Sequence, residues 1–176
     1  MKNFTDEELM LKVAKGDLNK LSTLFDRYHV RLYNFFNKMI KDKTISEDLT
    51  QEVFMKVLKS RHTYKNGNFT SWIFTIARNS FTNHYQKNKR ERVHLLNDDI
   101  YNQTETTNNK TEDNINYLKN ALLQLSKNDR ELIVMHRFQE IKYEQIAEIT
   151  GASVGSIKVK MHRAIKRLKT IYFQQP

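Results

Sequence analysis

Three groups of residues in this 176-residue chain have types and spacings suited to chemistry, and in each the chemistry is binding rather than bond-making. Between Ser153 and Lys169 stand Lys158, Lys160, Arg163, Lys166, Arg167 and Lys169, with no acidic residue among them. Cations at that density neutralise phosphates. Arg163 and Lys158 have the donors to pair with guanine, and His162 and Ser156 are further candidates for base edges. Lys160 and Arg167 are further candidates for DNA contact, and the flanks of such a helix meet phosphate oxygens. The second group lies upstream. Trp72, Phe74, Phe81 and Tyr85 interleave with Arg78, Lys87, Lys89, Arg90 and Arg92, while Asn79 and Asn83 sit about one helical turn apart. Aromatic faces stack on unpaired bases and cations follow the backbone; the competing reading is a helix with a basic end whose rings, Phe81 first, are core. In the third group Asp48 and Glu52 are four residues apart, with Glu47 and Gln51 beside them. Like charges at that spacing repel mildly on a helix. An acidic face in a basic region suggests docking to a cationic protein surface, against the alternative of a solvated face. A metal site there lacks a His or third carboxylate at ligand spacing.

Bond-making chemistry finds no support. Cys is absent, which excludes a disulfide scaffold, a thiolate zinc site and a cysteine nucleophile. No P-loop or HExxH motif occurs, and the six histidines form no ligand-spaced set, so neither metal nor cofactor is expected. The formal charge is +10, from 30 Lys/Arg against 20 Asp/Glu, which points to an anionic partner. The start carries no apolar secretion segment and no run suits a membrane helix, so a soluble cytoplasmic protein without membrane insertion is expected.

The elements that must position these groups are helices. Pro occurs once, at Pro176, and Gly four times, too few turn formers for a β-sandwich. A capping box, Thr5-x-x-Glu8, opens a short helix ending near Gly16. A second helix is predicted from about Leu18 to Ile40, burying Leu21, Leu24, Phe25, Tyr28, Leu32, Phe35, Phe36, Met39 and Ile40. Thr44-x-x-Glu47 is read as the cap of a third helix through about Ser60, and a fourth begins near Thr70 after the Asn66-Gly67 turn. Further on, Leu118, Ala121, Leu122 and Leu125 form a helical stripe. Ser126-x-x-Asp129 caps a helix through about Phe138. Tyr143 to Lys158 then reads as helix, glycine turn at Gly151, cap at Ser153 and second helix: a helix-turn-helix. Its second helix keeps Ile157, Met161, Ala164 and Leu168 inward and its cations outward, the arrangement that fits a major groove. A basic helix packing on protein or membrane is the competing reading.

Charge divides the chain into three. Residues 1–94 are net +8, residues 95–114 net −4 and residues 115–176 net +6. The middle stretch is rich in Asn, Thr and Asp and has no periodicity, so it is expected to be a flexible acidic linker between two small helical domains. The fold class is therefore all-α, with domains at 1–94 and 115–176. Twenty residues extend to roughly 66 Å, enough to set two DNA-binding modules about nineteen base pairs apart.

Taken together these residues resemble the extracytoplasmic-function (ECF) sigma factors of the sigma-70 family, along nearly the whole chain. Ser46-Glu47-Asp48-Leu49-Thr50-Gln51-Glu52-Val53-Phe54 is similar to the family's core-polymerase-binding segment. The resemblance implies that Asp48, Gln51, Glu52 and Phe54 meet the clamp helices of the β′ subunit. Ser71 to Asn79 resembles the segment that melts and reads the minus-10 element, which implies contacts from Trp72, Arg78, Asn79, Asn83, Tyr85, Lys87, Lys89 and Arg90. The helix-turn-helix resembles the minus-35 reader. Departures are Asn83, where an acid is common, Gln86, where a cation is, and Lys142 in place of a Ser or Thr cap. The implied protein is not an enzyme. It binds core RNA polymerase through β′ and β, recognises promoter DNA both duplex and melted, and has an anti-sigma factor as a candidate partner. A repressor or activator using the same helix-turn-helix stays open as the second reading, and a nuclease as a third.

Overall fold

The computed structural model describes residues 4–94 and 110–174. Among the described residues eight α-helices follow one another: α1 (Asp6–Ala14), α2 (Lys20–Ile40), α3 (Lys43–Ser60), α4 (Phe69–His94), α5 (Lys110–Gln124), α6 (Lys127–Ile133), α7 (Tyr143–Thr150) and α8 (Val154–Phe173). A 3-10 turn, Arg61–Thr63, follows α3, and a wide π turn, Val134–Phe138, continues α6. Helices α1 to α4 make one helical subdomain and α5 to α8 a second, carrying the helix-turn-helix.

Local chemistry sets most of the boundaries. Thr5 and Glu8 cap α1 reciprocally, each side chain accepting from the other's backbone N–H at 3.2 and 2.8 Å. Helix α2 stops at Lys41, whose φ of 59° is left-handed. Only Asp42 then separates it from α3, and Asp42, not Thr44, is the cap: its carboxylate accepts the Ile45 N–H at 2.9 Å. The helix starts two residues earlier because Asp caps as well as Thr and stands nearer the α2 end. Asn68 caps α4 through the Ser71 N–H at 2.8 Å. Ser126 caps α6 through the Asp129 N–H, but the Asp129 carboxylate turns away to Arg167, so the box is not reciprocal. The stretch expected as regular helix to Phe138 widens after Ile133, and the Gln139 N–H reaches back to Val134 O at 3.1 Å. Helix α5 starts at Lys110, inside the segment expected as linker; the remainder of that segment, residues 95–109, lies outside the described residues.

The buried side chains of both subdomains form a single cluster. Tyr28, Leu32, Phe35, Phe36 and Met39 of α2 meet Leu49, Val53 and Val57 of α3 and Ile73, Phe74, Ala77 and Phe81 of α4. Two expectations fail here. Phe25, placed in the core stripe by its spacing, is 41% exposed, because its position falls at the rim where α2 passes α3. Phe74, read as part of an aromatic face for bases, is core; Phe81 is core as well, the reading its place in the helical stripe favoured.

One side chain closes the ends of two helices across the subdomains. The Arg130 guanidinium donates to Leu122 O, Leu123 O and Leu125 O at the end of α5, and to Met39 O at the end of α2, at 2.9, 2.5, 3.2 and 2.6 Å. Helix C-termini carry unpaired carbonyls and partial negative charge, so a half-buried cation is well placed there. Arg130→Ala is expected to cost about 2–3 kcal/mol, as hydrogen bonds to a charged group are lost and carbonyls stay buried. Arg130→Lys should recover little, since one ammonium cannot reach both helix ends. Urea midpoints followed by circular dichroism check both.

Candidate nucleic-acid and partner interfaces

Helix α8 presents its cations as the spacing predicts. Ser153 caps it through the Ser156 N–H at 3.2 Å, and Gly151, at φ 69°, takes the left-handed turn that ends α7. Ile157, Met161 and Ala164 are buried. The opposite side exposes Lys158, Lys160, His162, Arg163, Lys166 and Arg167, while Ser156 is half-buried. Among the described residues no hydrogen bond or ion pair engages the side chains of Lys160, His162, Arg163 or Lys166. Arg167 differs: its guanidinium pairs with Asp129 of α6 at 2.5 Å. Lys158 leans back toward α7, its ammonium 6.0 Å from the Tyr143 ring.

Helix α4 divides its candidate residues between solvent and the second subdomain. Asn79, Asn83, Lys87, Lys89 and Arg90 are exposed, Lys87 standing 3.9 Å from Glu91. Asn79 borders a groove of about 450 Å³ lined also by Lys56, Lys59, Ser60, His62 and Thr63. Trp72 is half-buried against Tyr64, ring centres 5.3 Å apart and near perpendicular. Arg78 is taken by the other subdomain: its Nε donates to Glu131 Oε2 at 3.1 Å. Tyr85, half exposed, lies 5.1 Å below the Lys127 ammonium, which also donates to Thr82 Oγ1 at 3.0 Å.

On α3 the side chains of Glu47, Asp48, Gln51, Glu52 and Met55 face solvent. Glu52 pairs with Lys56 at 2.5 Å; Asp48 has no ion pair among the described residues. Phe54 is nearly buried, its ring 4.7 Å from Phe25. The exposed apolar groups beside the acids are instead Phe25, stacked on His29 at 4.8 Å, and Met55, 53% exposed. Sequence reasoning missed both. Met55 was within reach, since 48, 51, 52 and 55 follow the spacing of one helix face; Phe25 was not, because its spacing is that of the core.

Between the subdomains runs a polar seam. Arg31 donates to Gln139 O at 2.8 Å with its guanidinium 5.0 Å from the Tyr28 ring. Gln145 Nε2 donates to Asn68 Oδ1 at 2.8 Å, and Lys41 to Asn120 Oδ1 at 3.3 Å. At its centre is Glu131, whose side chain is 3% exposed. Burial pushes its carboxyl above the ordinary carboxylate range, with the nearby charges of Arg78 and Lys127 pulling the other way. Its second oxygen, Oε1, meets no donor among the described residues.

Two family descriptions match the chain: Sigma-70 region 2 over residues 24–91 and Sigma-70, region 4 over residues 115–168. The first subdomain thus answers to the former and the helix-turn-helix subdomain to the latter. The ECF RNA polymerase sigma factor SigM of Bacillus subtilis is 29% identical over 157 residues, spanning 86% of this chain and 94% of that protein. The sigma factor RpoE, solved with the anti-sigma factor NepR from Bartonella quintana, superposes with a TM-score of 0.75 at 26% identity, over 88% of this chain and 98% of the other. CnrH, solved with the cytosolic domain of CnrY, shares the fold with a TM-score of 0.77 at 18% identity, over 97% of this chain and 99% of that one. The fold and both halves define a transcription-initiation subunit, and the chain belongs to the ECF RNA polymerase sigma factors of the sigma-70 family. It binds core RNA polymerase and directs promoter recognition; bond-making belongs to the polymerase. Among the described residues no helix is long and apolar enough to cross a membrane.

The state of Glu131 gives the seam a pH signature. A carboxyl whose folded pKa lies above its ordinary value of 4.5 stabilises the fold fully only below that value, and the contribution is lost as pH rises through the folded pKa. The stability of the wild-type chain relative to Glu131→Gln should therefore rise as pH is lowered from neutrality and level off below about 4.5. Urea titrations at several pH values measure it; a constant difference would contradict the assignment.

Proposed function

We propose that this sigma factor grips the β′ clamp helices of core RNA polymerase with the outer face of α3, reads duplex DNA of the minus-35 element with α8, and engages the melted minus-10 strand along α4, in the cytoplasm. The observation that carries this reading is the division of charge over the helices. An acid-free exposed face on α8, with Lys160, His162 and Arg163 unengaged, lies in the part matching region 4, and an acidic exposed face on α3 lies in the part matching region 2. Asp48 and Gln51 would supply the polar contacts to polymerase, with Glu52 released from Lys56, and Phe25 and Met55 the apolar ones. Phe54 contributes by backing Phe25. On α4, Asn79 and Asn83 are the candidates for base edges and Lys87, Lys89 and Arg90 for phosphates.

Arg78 and Tyr85 are held by Glu131 and Lys127, so their use on a melted strand requires the seam to part. Polymerase would part it by seating the two subdomains separately. A division into 1–94 and a second domain that begins with α5 at Lys110, five residues earlier than expected, fits this division of labour. An anti-sigma factor is a further proposed partner, and the complexes of CnrH with CnrY and of RpoE with the anti-sigma factor NepR support that choice.

Run-off transcription with purified core polymerase tests the reading as a whole. Asp48→Arg combined with Glu52→Arg should abolish polymerase association in a pull-down while circular dichroism stays that of wild type, because both residues are solvent-facing; retained association would refute the docking face. Arg163→Ala should cost about 1–3 kcal/mol at a single promoter position if its contact to guanine is bidentate. A uniform loss across promoter sequences would mark it as a phosphate contact.

A further inference from the structure

The acid-free face of α8 contains one residue that phosphate binding does not explain. Val159 is 51% exposed, in the second turn of the helix, among Lys158, Lys160, His162 and Arg163. The other large apolar residues of α8 are buried or packed on the core, apart from Phe173 at its last position. An exposed valine in a helix is unfavourable on two grounds: its side chain loses rotamer freedom there, and its methyls stay in water. Alanine would be the better helix former at the same place. A valine is an advantage only where something apolar comes to meet it.

The surroundings say what that is. Gly155 and Val159 are four residues apart and Val159 and His162 three, so the three share one face of the helix. A side chain at Gly155 would meet nothing within 4 Å, so this strip of the helix is bare of neighbours. The cations around it select a polyanion. In the major groove a duplex offers one apolar group, the C5-methyl of thymine. We propose that Val159 is a specificity-determining residue of this sigma factor, packing on a thymine methyl in the upstream promoter element while Lys158 and Arg163 hold the bases or phosphates on either side. The inference rests on the reading of α8 as the duplex-reading helix.

The experiment uses the full chain assembled with core RNA polymerase. Duplexes bound by this holoenzyme are selected from a randomised pool, and each thymine of the upstream element is then replaced in turn by deoxyuridine, which removes the methyl and nothing else. At one position the wild-type holoenzyme should bind the uracil duplex about fourfold more weakly, the worth of one buried methyl. Val159→Ala should bind the thymine duplex about that much more weakly and no longer distinguish the two bases. The variant is expected to assemble and fold as wild type does, since Val159 is exposed and lies on α8, outside the α3 docking face. Equal thymine-to-uracil ratios for wild type and Val159→Ala at every position overturn the assignment, as does a selected upstream element without thymine. A pool that enriches no upstream element at all overturns the reading of α8 itself, and this inference with it.

Discussion

Two neighbouring residues of α6 carry opposite charges into the interior, and the relation of the two subdomains depends on them. Arg130 turns toward helix ends and is satisfied by carbonyls of α5 and α2. Glu131 turns toward α4 and is satisfied by half: one oxygen has Arg78, the other has nothing among the described residues. The first is a structural clamp. The second is a poor one, since a buried carboxylate with an unmet oxygen gives back much of what its ion pair contributes. A seam built this way sets the register of the subdomains, while the apolar cluster shared by both supplies the adhesion.

Much the same can be said of the rest of the seam. Its specific contacts are single hydrogen bonds, Arg31 to Gln139, Gln145 to Asn68, Lys41 to Asn120 and Lys127 to Thr82, each modest by itself. Polar interfaces between domains of one chain commonly allow relative motion. That suits a protein whose two halves must meet a polymerase and two stretches of promoter. The groups that gain freedom when the seam parts, Arg78 and Tyr85, are among those with chemistry suited to a melted strand.

What could be read from residues alone was local. Thr5 with Glu8, Ser126, Gly151 and Ser153 mark helix ends because capping depends on neighbours three or four positions away. The inward and outward sides of α8 follow from 3.6-residue spacing. Fold class and the division into acidic and basic helices came with them. The misses are of two kinds. Asp42 was passed over because two capping residues stood within three positions, and geometry at the α2 end decided between them. The start of α5 was hidden by Glu112 and Asp113, which look like linker composition yet are favourable in the first turn of a helix. Other misses were nonlocal. Nothing near Arg78 or Arg167 reveals a partner on another helix, and nothing near Arg130 reveals its bond to Met39 O on α2. Phe25 and Phe74 exchange expected roles because burial depends on which helix lies opposite.

The amide of Gln145 is the most economical joint in the molecule. Its oxygen accepts from the Lys142 N–H at the start of α7, and its nitrogen donates to the Asn68 oxygen that also receives the Ser71 N–H at the start of α4. Two helix beginnings, 74 positions apart by number, are thereby chained through a pair of amides. Only a side chain that gives and takes at once can make both bonds from position 145. A carboxylate there would suit the positive end of α7 better and yet repel the oxygen across the gap. The residue present trades some rigidity of its own helix for alignment with a remote one, so a change of one atom, nitrogen to oxygen, separates what α7 needs for itself from what it owes to α4.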